Sequence, residues 1–311
     1  MKQYKKDQNN LFKREIGISV LDKVTPYIKR AMMREENIFL IGADINDKTS
    51  MRFKIQNALK GKVNILLPED IFEEDIFLKE QNMLSLENIL AQSVDAVVMC
   101  VESPGSFTEL GAFANHQELN QKLIVCQNKK FERAKSFINL GPIKYLKQHT
   151  PSIVFSVNYD KEFGDSETKA LIKNIKVIKK NTMNVNYDLF NPLFAERFVL
   201  ALLYVFDSIE KQVIIDIIKH IDIIKDKDEK EKKIKIEKVI STVNSSLSTL
   251  SQKRHLTFNF NKRLYSLSNK GKNRINMEYK PDFIYKNLDV MRIKVLNFQL
   301  RENYLRPNTY A

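Results

Sequence analysis

The stretch Asp95–Phe113, DAVVMCVESPGSFTELGAF, decides the fold. Its first seven residues are nearly all apolar, which is typical of a strand buried on both faces of a sheet. A Ser-Pro-Gly-Ser turn follows, and a helical pattern then carries Glu109 close to its start. Four other short apolar runs, separated by helical patterns, predict further strands at Asn37–Gly42, Val63–Leu67, Leu123–Cys126 and Ile153–Phe155. The sequence therefore predicts an α/β fold with a parallel sheet and flanking helices.

Composition limits the class of protein. The chain has 311 residues, 43% of them hydrophobic, and no apolar run long enough to cross a bilayer, so we expect a soluble cytoplasmic protein of about two domains with no membrane contact. Its N-terminus, MKQYKKDQNN, lacks the apolar segment of a signal peptide. Cys100 and Cys126 lie in apolar runs without metal-ligand spacing, and we therefore expect neither a disulfide nor a metal site.

The net charge of +13 is unevenly distributed. Residues 225–274 contain 14 Lys or Arg against 5 Asp or Glu, a net charge of +9. This concentration favours a nucleic-acid contact surface in the C-terminal part. A solvated Lys/Glu helix face through KDKDEKEKKIKIEK is the alternative interpretation.

Polar residues follow the first three predicted strands, where parallel sheets bind their ligands. Small residues and N–H groups at the start of a helix also suit an anionic or polyhydroxyl ligand. The candidate binding residues are Gly42 and Asp44 after the first strand, Glu69 and Asp70 after the second, and Glu102, Ser103, Gly105 and Ser106 after the third.

Glu109 has two interpretations. Ser106-Phe107-Thr108-Glu109 fits a capping box, in which the glutamate only bonds back to the start of its own helix. Alternatively, Glu109 projects into the crevice at the strand ends. Gly111 favours the second interpretation modestly, because a helical glycine is unfavourable by roughly 1 kcal/mol unless something packs close to the backbone.

Several segments carry a family resemblance. LLPEDIFEED at 66–75, LSLENILAQSVDAVVMCVESPGSFTELGAFAN at 84–115 and KSFINLGPIKYLK at 135–147 resemble the effector proteins of bacterial retron anti-phage systems. The resemblance implies a nucleoside 2-deoxyribosyltransferase-like domain with flavodoxin-like layering, followed by helices and a winged-helix domain. We expect a helical extension at 1–36, the catalytic domain at 37–160, a helical connection at 161–235, and the winged helix with a tail at 236–311.

The same resemblance implies a reaction. Glu109 matches the glutamate that attacks the anomeric carbon of a nucleoside, and the implied substrate is NAD, cleaved between nicotinamide and ribose without a cofactor. The implied partners are a retron reverse transcriptase and its branched RNA–DNA product, msDNA, which hold the effector inactive until infection. The alternative is a non-catalytic, nucleotide-sensing regulatory component that binds nucleic acid, and replacement of Glu109 discriminates between the two.

The C-terminal part has its own pattern. A helix at 239–250, two short strands around 259–263 and LSNKG at 267–271 resemble a winged helix, either binding nucleic acid or docking a protein. Its candidate recognition helix is rich in Ser and Thr, which argues against reading of base edges. The candidate phosphate contacts are Lys253, Arg254, Lys262 and Arg263. The apolar helices between Leu189 and Ile224 predict self-association, because one helix face cannot hide so much apolar surface.

Overall fold

The computed structural model describes residues 2–44, 46–69, 93–182, 185–221 and 228–304. The chain divides into two compact units, Ala31–Asn186 and a second formed by Met1–Arg30 with Tyr187–Ala311. The unit edges differ from the boundaries expected at 36, 160 and 235, and that functional division stays a prediction. No helix within the described ranges is long and apolar enough to traverse a bilayer.

The unit Ala31–Asn186 is built on a five-stranded parallel sheet, which confirms the predicted α/β fold. The strand order is β2-β1-β3-β4-β5, and all four pairings are parallel. The strands are β1 Asn37–Ile41, β2 Asn64–Leu66, β3 Ala96–Cys100, β4 Leu123–Asn128 and β5 Ile153–Val157. The helices are α1 Lys2–Arg34, which begins in the other unit, α2 Met51–Leu59, α3 Pro104–Asn115, α4 Lys144–His149 and α5 Asp165–Asn181.

Burial of the central strands explains their continuous apolar runs. Every residue of β1 and β3 is buried, as is all of β4 except Asn128. One core cluster joins these strands to Met51, Ile55 and Leu59 of α2 and to apolar residues of α5. The sequence pattern of Ser85–Ser93 also predicts a helix, with Ser85 as a candidate N-cap, and of this stretch only Ser93 lies within the described residues.

The strand order creates a crevice between two loops. From β1 the chain adds β2 on one side of the sheet, and it then returns to add β3, β4 and β5 on the other side. The direction in which strands are added therefore reverses between β1 and β3, and the loops that follow these two strands diverge at their carboxyl ends. Ligands of open α/β sheets bind at such a switch point.

The second unit surrounds a buried helix. Its helices are α6 Pro192–Phe206, α7 Lys211–Lys219, α8 Glu229–Gln252, α9 Asn269–Glu278, α10 Pro281–Phe283 and α11 Val290–Tyr304. A small antiparallel sheet has the order β6-β8-β7, with β6 Ser208–Glu210, β7 Leu256–Asn259 and β8 Leu264–Leu267. In α6, 13 of the 15 residues are buried. The apolar surface taken to indicate self-association is thus largely covered within the chain, which corrects that argument.

Buried ion pairs link α6 to α9. Arg274 of α9 pairs with Glu196 at 2.8 Å and with Glu278 at 3.3 Å, while Arg197 of α6 pairs with the same Glu278 at 2.8 Å. The hydroxyl of the buried Tyr279 donates to the carbonyl oxygen of Arg197 at 2.9 Å. Loss of one partner from such a network would leave a buried charge uncompensated.

Candidate active site

The turn after β3 is closed by two serines. The Ser103 hydroxyl accepts a hydrogen bond from the Ser106 amide at 3.2 Å, and the Ser106 hydroxyl accepts one from the Ser103 amide at 2.9 Å. Ser103 is therefore the N-cap of α3, and the capping box consists of Ser103 and Ser106. The interpretation of Ser106 and Glu109 as a capping box was wrong. Glu109 lies in the second turn, where capping makes no use of its carboxylate.

Glu109 is half-buried with an unengaged carboxylate. Among the residues that the structure describes, none donates a hydrogen bond to it. Burial raises the pKa of Glu109, the positive charge of Arg52 lowers it, and the negative charge of Glu69 raises it; the net pKa is above the ordinary glutamate value. A carboxylate that is partly desolvated and makes no hydrogen bond has lone pairs available for a substrate.

Arg52, in the first turn of α2, is a site residue that the sequence interpretation missed. Its guanidinium binds both carboxylate oxygens of Glu69, at 2.6 and 2.9 Å, and donates to the Ala43 carbonyl at 2.9 Å. Its Nε is buried without a hydrogen-bond partner among the described residues. One feature of the sequence could have identified it: a cation in the first turn of a helix is unfavourable beside the helix dipole unless a carboxylate lies nearby.

The two hydrogen bonds from the Arg52 guanidinium also favour the ionised form of Glu69. Burial by itself would raise the pKa of Glu69, but hydrogen bonds and the positive charge of Arg52 lower it overall. Glu69 is 37% exposed at its side chain, so it lies at the crevice mouth rather than in the core.

Glu102 holds the loop after β1 against the start of α2. Its carboxylate accepts hydrogen bonds from the amides of Ala43 at 3.2 Å, Met51 at 2.7 Å and Arg52 at 3.0 Å. Gly42 is required beside it, since a Cβ there would lie 2.7 Å from Arg52 Cβ and 2.9 Å from Glu102 Oε1. Glu102 and Gly42 thus build the crevice, and contact of either with substrate stays a prediction.

The other predicted binding residues contribute less to the structure of the crevice. Asp44 is exposed, and its carboxylate accepts hydrogen bonds from the Asn46 amide and side chain at 2.8 and 3.0 Å. Gly105 is exposed, and a Cβ there would lie 3.9 Å from Ser103 Oγ, an ordinary contact; Asp70 lies outside the described residues. A Cβ on Gly111 would meet no described residue within 4 Å, so close packing of a ligand against the backbone there stays a prediction.

Four carboxylates of the described residues therefore lie around the crevice in different environments. Asp44, Glu69 and Glu102 are engaged by Asn46, by Arg52 and by backbone amides, respectively. Only Glu109, among these four, has no hydrogen bond from the described residues. Burial, one nearby cation and a second carboxylate act on it together, and such surroundings are a feature of functional sites.

The two cysteines and the other possible metal ligands can be located within the described part of this unit. Within the described ranges no three His, Cys, Asp or Glu side chains are grouped so as to hold a metal ion. Cys100 and Cys126 face each other across β3 and β4 as free, buried thiols. Burial raises the pKa of Cys100 well above its ordinary value, so the thiol stays protonated.

Comparison with known proteins assigns the family. A family described as "STM3845 retron effector protein" matches residues 48–270, which include α2, β3 and α3 with Glu109. The chain belongs to this family. The matched residues include Arg52, Glu102 and Glu109 of the crevice, exclude Gly42 and Asp44, and continue into the second unit of the retron effector.

Two relatives from Escherichia coli add detail. "Retron Ec86 putative ribosyltransferase/DNA-binding protein" is 39% identical over 194 residues, which cover 58% of this effector and 63% of the relative. "Retron Ec73 putative ribosyltransferase/DNA-binding protein" is 38% identical over 121 residues, which cover 36% of this effector and 38% of the relative. The matched part thus spans less than two thirds of the length of either relative.

The four predicted phosphate contacts of the effector lie at two places. Lys253 and Arg254 follow α8, next to the end of the β7–β8 hairpin where Leu256 pairs with Leu267. Lys262 and Arg263 lie in the hairpin turn at the opposite end. The four residues of β7, at about 3.4 Å per residue, separate Lys253 and Arg254 from Lys262 and Arg263. The structure does not bring these basic residues into one cluster.

The hairpin also carries aromatic rings that the sequence interpretation did not use. Phe260 is 82% exposed in the turn, beside Lys262 and Arg263. The ring centroid of Phe258 lies 5.0 Å from that of Phe260 and 4.7 Å from that of Tyr265. Exposed aromatic rings beside cations suit stacking of unpaired bases together with phosphate contacts.

Proposed function

We propose that this retron effector is an N-glycosidase that cleaves NAD between nicotinamide and ribose, with Glu109 as the nucleophile. The observation that carries the proposal is the half-buried carboxylate of Glu109 near the β1/β3 switch point, which accepts no hydrogen bond from the described residues. The word "ribosyltransferase" in the printed names of both relatives supports the same class of reaction. The alternative of a nucleotide sensor without turnover has no need of an unengaged nucleophile.

In the proposed reaction a Glu109 oxygen attacks C1′ of the nicotinamide-bearing ribose. The C1′–N bond breaks, its electron pair passes to the pyridinium nitrogen, and neutral nicotinamide leaves. Water then hydrolyses the glycosyl ester, giving ADP-ribose, a proton and the free carboxylate. Because the pyridinium is a good leaving group, no general acid is needed in the first step. Arg52 stands close enough to influence the Glu109 charge and favours its ionised form.

The test compares Glu109→Gln with the wild type and with Glu132→Gln. The same chemical change is made in both variants, but Glu132 is exposed in a loop after β4. Release of nicotinamide from NAD is followed by chromatography, with circular dichroism to verify folding. We expect loss of cleavage only in Glu109→Gln. Cleavage at the wild-type rate by a folded Glu109→Gln protein would exclude this mechanism, and binding of NAD without turnover by the wild type would favour the sensor.

We further propose that the second unit contains a winged helix that binds nucleic acid. The succession α6, β6, α7, α8, β7 and β8 supports this, because it is the helix-strand-helix-helix-strand-strand order of that module. The hairpin turn with Phe260, Lys262 and Arg263 would then be the wing. In this proposal the reverse transcriptase and msDNA hold the effector inactive, and the phrase "DNA-binding protein" in the relatives' names supports the nucleic-acid contact.

A further inference from the structure

A loop and a short helix after β4 carry a basic surface in the unit Ala31–Asn186. Residues 129–149 contain six Lys or Arg against a single Glu, a net charge of +5. The charge excess of residues 225–274 belongs to the other unit and does not account for this one. All six cations are exposed, and none forms an ion pair with a described residue: Lys129, Lys130, Arg133, Lys135, Lys144 and Lys147.

Aromatic rings are exposed among these cations. Phe137 is 87% exposed, Phe131 56% and Tyr145 45%. Lys130 Nζ lies 5.7 Å from the centroid of the Phe131 ring, a cation–π distance. Single exposed apolar residues are common on protein surfaces, but rings that alternate with cations offer two kinds of contact in one place. Phosphates can pair with the cations while unpaired bases stack on the rings. The six cations and these three rings are called the basic surface below.

Asn139 fixes the shape of the loop that carries the first half of the basic surface. Its Nδ2 donates to the carbonyl oxygens of Phe131 at 2.8 Å and Ala134 at 2.7 Å. Its Oδ1 accepts a hydrogen bond from Gln127 Nε2 at 2.6 Å, and Gln127 is a buried residue of β4. The loop is therefore tied to the sheet. A surface that is ordered before it binds loses less conformational entropy on binding.

The helical residues that follow carry the second half of the basic surface. The Phe137 ring lies alongside Gly141, where a Cβ would be 3.7 Å from two of its ring carbons. In α4, Lys144 and Lys147 are three positions apart and are therefore neighbours on the helix surface. Leu146 between them is fully buried and packs the opposite side of the helix. Replacement of the exposed side chains should therefore leave the packed side intact.

The distribution of side chains favours single-stranded nucleic acid over an anionic membrane. A helix that lies in a membrane interface presents one continuous apolar face to the lipid. The apolar side of α4 is used within the unit, and its exposed residues are Lys144, Tyr145, Lys147, Gln148 and His149. Single strands are also favoured over a duplex, because paired bases already stack on one another and leave no free face for an aromatic ring.

We propose that the basic surface is a second nucleic-acid contact of this retron effector, which binds unpaired nucleotides through phosphate contacts to its cations and base stacking on Phe137. This contact is additional to the proposed winged helix. It does not depend on NAD cleavage.

The test measures the fluorescence anisotropy of a labelled single-stranded oligothymidylate, titrated with the full chain at several salt concentrations. The surface variant replaces Lys130, Arg133, Lys135 and Lys144 with alanine. The control variant replaces four exposed lysines of α5, so both variants lose the same net charge: Lys169, Lys173, Lys176 and Lys180. We expect weaker binding and a salt slope lower by up to about 0.7 units per lost phosphate contact in the surface variant alone.

A further variant separates stacking from charge. Phe137→Leu keeps an apolar side chain at an exposed position but removes the ring. We expect it to bind the single strand about ten-fold more weakly, with an unchanged salt slope and unchanged binding of a duplex of the same length. All titrations are repeated with alanine at the four candidate phosphate contacts of the second unit, so that binding there does not mask the result: Lys253, Arg254, Lys262 and Arg263.

Three results would overturn the proposal. The first is equal affinity and salt slope in the surface and control variants, with circular dichroism verifying that both fold. The second is wild-type affinity for the single strand in Phe137→Leu. The third is a surface variant that no longer binds phosphatidylglycerol vesicles but still binds the oligonucleotide, which would assign the surface to a membrane. Loss of all binding on substitution of the second unit alone would also exclude it, whereas no effect of that substitution would refute the winged-helix contact and leave this one standing.

Discussion

Two substitutions beside Glu109 should move its pKa in opposite directions. Arg52→Met removes the positive charge that favours the Glu109 carboxylate, so the pKa of Glu109 should rise further. Glu69→Gln removes the negative charge that disfavours ionisation, so the pKa should fall. Because only ionised Glu109 can attack the sugar, the acid limb of the nicotinamide-release profile should move to higher pH in Arg52→Met. In Glu69→Gln the acid limb should move to lower pH.

The same pair gives a magnitude for stability. Arg52→Met loses two hydrogen bonds to Glu69 and one to the Ala43 carbonyl. Loss of one partner from a fully buried ion pair costs about 3–5 kcal/mol, whereas exposed pairs contribute about 0–1 kcal/mol. Arg52 is buried but Glu69 is 37% exposed, so we expect the free energy of unfolding to fall by about 2–3 kcal/mol. Glu69→Gln keeps one acceptor, and we expect a loss of about 1 kcal/mol.

Lys54→Met is the matched control for the charge change. Lys54 is in the same helix, but its Nζ contacts the carbonyls of Tyr159 and Lys161 and lies 4.0 Å from Glu162. We expect a loss of less than about 1 kcal/mol in urea unfolding and no displacement of the acid limb. Acid limbs that move in the same direction in Arg52→Met and Glu69→Gln, or in neither, would refute the assignment of Glu109 as the titrating nucleophile.

Four further predictions follow from the described contacts. Gly111→Ala should raise the free energy of unfolding by about 0.5–1 kcal/mol in thermal melts, and a loss of activity there would reveal a ligand packed on α3. Glu109→Gln should be more stable than wild type at neutral pH and equal to it in acid, because a raised pKa makes ionisation of Glu109 destabilising as pH rises. Light scattering should detect self-association, for which the exposed apolar residues of α11 are available, and a monomer at all micromolar concentrations would contradict it. Alanine at the four candidate phosphate contacts should weaken msDNA binding and lower its salt slope by up to about one unit per lost phosphate contact. The test variant replaces Lys253, Arg254, Lys262 and Arg263 with alanine. The control variant replaces four exposed lysines of α5 with alanine: Lys169, Lys173, Lys176 and Lys180.

The strands of the parallel sheet could be predicted because burial on both faces leaves a local signature. The apolar run at 95–101 contains β3, and the run at 37–42 contains β1. β6 could not be found in this way. It has three residues, Ser-Ile-Glu, and exists through its pairing with β8, more than 50 positions further along the chain. No local pattern encodes such a partner.

The candidate site was only partly predictable for a similar reason. Strand ends marked the region correctly, but the partner of each carboxylate depends on contacts between distant segments. Glu69 meets Arg52 across 17 positions, and Glu102 meets the amides of α2 across about 50. The sequence left Glu109 with two interpretations, capping and projection into the crevice, and offered Glu102 only as a candidate binding residue. In the structure Ser103 and Ser106 form the cap, and the Glu102 carboxylate is held by backbone amides.

Two glutamates seven positions apart thus have different chemistry because of their surroundings. Two backbone amides at the start of α2 and the Ala43 amide in the loop after β1 hold the Glu102 carboxylate, so its lone pairs are occupied and its displacement would leave these N–H groups unsatisfied. Glu109 has no such donors among the described residues and is stabilised only by the nearby charge of Arg52. A nucleophile must give up few interactions when it attacks. Attack by Glu109 breaks no hydrogen bond to a described residue, and the attraction of its charge to Arg52 is all that is lost when the carboxylate becomes a neutral ester. Compensation of Glu102 by hydrogen bonds and of Glu109 by charge alone therefore makes Glu109 the better candidate for the proposed covalent step.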